Sequence, residues 1–156
     1  MDINAVLTNA LWGAVMAGGL AVFFTVPQRA LWIAVVCGGA GRGVRSAALQ
    51  ADQGLLRATL LAALAVSLVA VLLAPSQQFS PVVAMSALIP LGAAIDAFDV
   101  IWAAMQIPGT SDVTQVTALG ADLIANAVTV AAVTLAIAIG FLVPWLVLRF
   151  ARHTGE

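Results

Sequence analysis

Five apolar stretches, at residues 5–25, 29–50, 56–74, 81–105 and 113–148, take up most of this 156-residue chain. An α-helix rises about 1.5 Å per residue, so about 20 apolar residues cross the ~30 Å hydrocarbon layer of a bilayer. Each stretch meets or approaches that length. With 8% charged and 63% hydrophobic residues and a mean hydropathy of +1.10, the chain reads as an all-α, polytopic membrane helix bundle of about five transmembrane segments. Long alternating strand patterns are absent, which argues against a β-barrel. A single transmembrane domain over residues 1–156 is expected. Its N-terminal residues lack the positive flank of a secretory signal, so the first stretch should remain as a membrane helix.

Composition also removes several function classes. A net charge of -1 and the absence of lysine leave no basic face for nucleic acid. Cys37 is the one cysteine, so one chain builds neither a disulfide framework nor a Cys-rich metal site. No metal and no cofactor are expected, and Cys37 reads as a small buried side chain. Catalysis is disfavoured too: the one histidine, His153, falls in the C-terminal tail, and Asp96 and Asp99 share one helix, whereas a carboxylate dyad is assembled from different elements.

Glycine and proline mark the joints. Pro27 closes the first segment, and Ala10, Ala14 and Gly18 recur every fourth residue as a small-residue stripe for close helix packing. The second segment carries Gly38, Gly39, Gly41 and Gly43 around Arg42 and Arg45, and glycines 41 and 43 predict an interrupted helix. The third is a scaffold or lipid-facing helix. After a turn at Pro75 to Ser80, Pro90 removes a backbone hydrogen bond inside the fourth segment and predicts a break there. Ser111 or Asp112 is the expected N-cap of the last helix, which exceeds one crossing and should project from the bilayer or bend near Gly140 and Pro144. Trp12, Trp32, Trp102 and Trp145 read as interfacial anchors toward segment ends. Arg149, Arg152 and His153 favour a cytoplasmic C-terminus. The competing topology has four spans with the second segment re-entrant.

Ionisable groups at membrane depth cost several kcal/mol and by default suggest function. Asp96 and Asp99, three residues apart, share a helix face; two carboxylates so close in a low-dielectric site resist ionising together, so the pair can exchange a proton or recognise a cation. The other reading is a structural ion pair with Arg42 or Arg45. Arg45 offers a planar fork suited to a substrate carboxylate, or else to an aspartate of the same bundle. Arg42 can snorkel to the interface. Asp122, Asn126 and Thr129 form one polar seam, with Asn126 the candidate functional amide, Thr129 a helix-binding hydroxyl and Asp122 near the membrane surface. Together Arg45, Asp96, Asp99 and Asn126 are expected around a midplane site, beside the break at Pro90.

The run Val26-Pro27-Gln28-Arg29-Ala30-Leu31, followed by Gly38 and by Gly41-Arg42-Gly43-Val44-Arg45, resembles the pattern of the threonine/serine exporter family. Ile89-Pro90, Asn126, and Gly140 with Pro144 add to the likeness, which covers nearly the whole chain and points to the family's small membrane subunit, the counterpart of the C-terminal membrane half of fused members. The resemblance implies a secondary-active exporter of small polar organic solutes, threonine- and serine-like amino acids or dicarboxylates, set in the bacterial inner membrane. It implies a larger membrane subunit as partner, with a second copy of this chain as the other choice. Where the family carries a Pro-Gly pair and hydroxyl or aromatic side chains, this chain has Ala93-Ala94, Asp96, Phe98 and Asp99. Two added carboxylates suit a cationic group or a proton better than a dianion. The alternative function is a non-transporting scaffold that stabilises the larger partner.

Overall fold

The computed structural model describes residues 2–73, 81–92, 94–109 and 112–153, with the side chains of 81, 82, 94–96, 145 and 147–153 left aside. All regular structure among them is helical: α1 (Ile3–Phe23), α2 (Gln28–Gln50), α3 (Gly54–Leu73), α4 (Pro81–Leu88), α5 (Ala94–Gln106) and α6 (Val113–His153). Short 3-10 turns at Ile89–Leu91 and Ile107–Gly109 follow α4 and α5. Helices α1, α3 and α6 are long and apolar enough to cross a membrane. The expected turn at residues 75–80 and the candidate cap Ser111 lie outside the described residues.

Local chemistry explains the helix ends. Asp2 caps α1, its Oδ1 accepting from the amides of Asn4 at 3.0 Å and Ala5 at 3.4 Å. Asp112 does the same for α6, accepting from the Thr114 amide at 2.9 Å. Helix α1 stops in a Schellman arrangement: the Val26 amide donates to Ala21 O at 2.9 Å, the Thr25 amide to Val22 O at 3.0 Å, and Thr25 turns to φ 55°. Pro27 follows and opens α2. The α2–α3 junction repeats the device with Asp52 at φ 53°.

The fourth apolar stretch is divided at Pro90, where α4 gives way to the 3-10 turn before α5 starts at Ala94. The second is not. Helix α2 runs unbroken through Gly38, Gly39, Gly41 and Gly43, so the expected interruption at Gly41 and Gly43 is corrected. A glycine costs a helix only about 1 kcal/mol against alanine, and close contact on both sides of α2 outweighs that. A Cβ on Gly41 would lie 2.6 Å from Val66 Cγ2 of α3, and one on Gly43 3.3 Å from Ala10 Cβ of α1.

The chain divides into two compact units, residues 1–91 with 136–156, and residues 92–135. In the first, α1 and α2 form an antiparallel hairpin: Ala10 meets Gly43, Ala14 meets Gly39, and Gly18 meets Val35. Its core is built of small side chains, Ala17, Cys37, Ala62, Ala63, Val66, Ala70 and Ala87 with Leu88 and Leu91. Helix α3 supplies an i, i+3, i+4 stripe of buried residues from Ala58 to Ala70, and so is a packed scaffold. The C-terminal part of α6 joins it through Gly140, and the Ser67 hydroxyl donates to Phe141 O at 3.3 Å. The second unit holds α5, the turn after it and the N-terminal part of α6. There Phe98 and Trp102 stack with ring centroids 6.2 Å apart. Helix α6 continues through Gly140 and Pro144, and His153 is its last residue rather than part of a tail. Trp12 stands near the middle of α1, not at an end.

Candidate functional site

Arg42, Arg45, Ser46 and Leu49 follow the i, i+3, i+4, i+7 spacing and share one face of α2. That face is turned toward Asn9 of α1. The five residues line a cleft of about 90 Å³ between the two helices. Asn9 holds its place by donating from Nδ2 to Ala5 O at 3.0 Å and to Ser46 Oγ at 3.1 Å. Ser46 accepts that bond and keeps its own hydroxyl proton for another partner.

Gly13 decides where Arg42 goes. Without a side chain there, Cβ and Cγ of Arg42 lie directly on α1. The Arg42 Nε is buried with no hydrogen-bond partner among the described residues. Such a buried donor costs about 1–3 kcal/mol, more for a charged group, until an acceptor reaches it. Arg45 is half-buried on the cleft wall. Arg29 and Arg57, by contrast, are exposed at helix starts.

The cleft lies toward one end of the hairpin. Ser46 and Arg42 stand four and eight residues before Gln50, the last residue of α2; at ~1.5 Å per residue this is ~6 Å and ~12 Å along the axis. The cleft therefore lies beside the C-terminal half of α2 rather than at the middle of the hairpin. Beside it the helix ends are tied together: the Asp2 amide donates to Gln50 Oε1 at 2.6 Å, and Gln50 Nε2 donates to Asp2 O at 3.3 Å.

The other expected site residues belong to the second unit. Asp99 is exposed on α5, next to the Phe98 and Trp102 stack, and Asn126 is half-buried on α6. The side chain of Asp96 lies outside the described residues, although its backbone is part of α5. Thr129 donates to Ala125 O of its own helix at 3.0 Å, so its hydroxyl proton is used locally rather than to bind a neighbouring helix. Asp122 is exposed. Arg45 is thus described in one unit, and Asp99 and Asn126 in the other.

Sequence reasoning missed Asn9 and Ser46. A signal existed for the first: Asn9 precedes Gly13, Ala17 and Ala21 at four-residue steps, and those three are the buried row of α1. Ser46 completes the face of α2 that carries both arginines.

The family profile described as Threonine/Serine exporter, ThrE, matches residues 9–147. The chain belongs to the threonine/serine exporter family. It is accordingly a multi-pass membrane protein, a transporter rather than an enzyme. The match takes in all five residues of the cleft, together with Asp96, Asp99 and Asn126. No curated protein and no solved structure matches this threonine/serine exporter chain.

Proposed function

We propose that this chain is the small membrane subunit of a proton-coupled exporter, acting with a larger membrane subunit of the same family in the bacterial inner membrane. Its cargo is a small amino acid of the threonine or serine type. The placement of Arg45 on a polar cleft wall carries this reading. The guanidinium fork donates two parallel hydrogen bonds to the substrate carboxylate. Asp96 and Asp99 take the proton or the substrate ammonium, and Asn126 contributes a further substrate-binding amide. Two aspartates next to a dicarboxylate would repel it, so an amino acid is favoured as cargo. Five crossings with the C-terminus in the cytoplasm complete the arrangement.

Co-reconstitution of this chain with the larger subunit tests the reading. Proteoliposomes loaded with radiolabelled threonine should release it only when both proteins are present, and faster when the exterior is acidic. Arg45→Gln should raise KM by about tenfold or more, as expected for a lost charge-assisted bond. Full efflux by the chain alone, or efflux indifferent to the proton gradient, would overturn it.

A further inference from the structure

We infer that the α1–α2 cleft is a carboxylate site in which Arg42 binds alongside Arg45, while Asn9 and Ser46 read a hydroxyl on the same ligand. The amino-acid class of the ligand rests on the exporter reading above; the site itself rests on the geometry. Two guanidinium side chains line one cavity, and a buried Nε of one of them has no acceptor among the described residues. An anion with two or more oxygens supplies the acceptor that the Arg42 Nε lacks and turns a second oxygen to the rest of the cleft wall, because a guanidinium presents a fork of donors.

The neutral wall of the cleft has a different chemistry. Ser46 keeps a proton to donate, and Asn9 keeps its carbonyl oxygen to accept, so the pair offers a hydroxyl group one partner of each kind. Both are held in register by the 3.1 Å bond between them. The cavity of about 90 Å³ compares with the roughly 10–15 Å³ that one water needs by the same measure. It therefore takes the polar head of a small hydroxy amino acid. A phosphate headgroup of an anionic lipid shares the anionic chemistry, and the experiment separates the two sources.

The full chain in phosphatidylcholine nanodiscs is titrated with L-threonine, with threoninol, which lacks the carboxylate, and with 2-aminobutyrate, which lacks the hydroxyl. Threonine should bind saturably, and each analogue about tenfold or more weakly. Arg42→Gln keeps the Cβ and Cγ that pack on Gly13 and should weaken threonine by about tenfold or more. Arg42→Lys, which keeps charge and stem, should fall between, and Arg29→Gln should bind as the unaltered chain does. Equal affinity for threoninol, unchanged affinity in Arg42→Gln, or no saturable binding would overturn the site. So would loss of threonine binding when phosphatidylglycerol replaces phosphatidylcholine, since the headgroup would then be the ligand. Arg42-dependent binding without efflux from the two-subunit system leaves the site standing and removes the exporter mechanism; efflux with unchanged KM in Arg42→Gln does the reverse.

Discussion

Gly13 of α1 and Gly38 of α2 face each other so closely that a Cβ on either would lie 2.7 Å from the other's carbonyl oxygen. This is backbone against backbone, at a separation where Cα–H groups meet carbonyls. It sets the distance between the helices and hence the width of the cleft at Arg42.

Gly13→Ala and Gly38→Ala should each destabilise the protein by about 1–3 kcal/mol, because a carbonyl of the neighbouring backbone cannot move aside without parting the helices. Gly19 has nothing within 4 Å of its Cβ position, so Gly19→Ala should be neutral or slightly stabilising. Thermal unfolding in a mild detergent compares the three. Similar melting temperatures for Gly13→Ala and Gly19→Ala would refute the close approach.

Gly140→Ala should be as harmful, on the opposite side of α3. A Cβ there would lie 2.6 Å from Ala63 Cβ and 3.1 Å from Leu60 O. A loss of about 1–3 kcal/mol is expected. Ser67→Ala, which removes only the hydroxyl bonded to Phe141 O, should cost about 0.5–1.5 kcal/mol. Chemical unfolding of both variants should preserve that order.

Thr25→Gly should stabilise the α1–α2 turn by about 1 kcal/mol, since a β-branched residue at φ 55° pays a steric penalty that glycine does not. The lost Thr25 hydroxyl bond, to Phe24 O at 2.7 Å, is exposed and offsets little. A lower melting temperature would show that the turn is held by that hydroxyl.

Asp99→Asn should leave folding within about 0.5 kcal/mol of the unaltered chain, as surface substitutions usually do, because Asp99 is exposed. If the Asp96 and Asp99 pair couples export to protons, the same substitution abolishes or shifts the pH dependence of efflux while assembly with the larger subunit is retained. An unchanged pH profile with normal assembly would remove Asp99 from the coupling site.

The helix positions were legible because bilayer thickness imposes a length that composition reports directly. All five apolar stretches contain or coincide with helices, and Pro90 marks a change of helical path because proline lacks the donor that continues it. The role of the α2 glycines was not legible. The same missing Cβ permits a bend or a close contact, and only the position of α1 and α3 decides which. Asn9 escaped notice for a related reason. Ala10, Ala14 and Gly18 do meet α2, but the most buried row is Gly13, Ala17 and Ala21, and this choice depends on the antiparallel register of the partner helix.

Of the fully buried side chains among the described residues, Ala17, Ala21, Ala34, Ala58, Ala62, Ala63, Ala70, Ala84 and Ala87 have no rotamers to lose. Ordering a leucine or methionine costs roughly 0.5–2 kcal/mol of conformational entropy, whereas ordering an alanine or glycine side chain costs about nothing. Lipid tails solvate apolar side chains as well as a protein interior does, so the bilayer offers little hydrophobic drive to meet such a cost. A core of this composition lets dispersion contacts hold the helices at little cost in side-chain order around a pair of arginines.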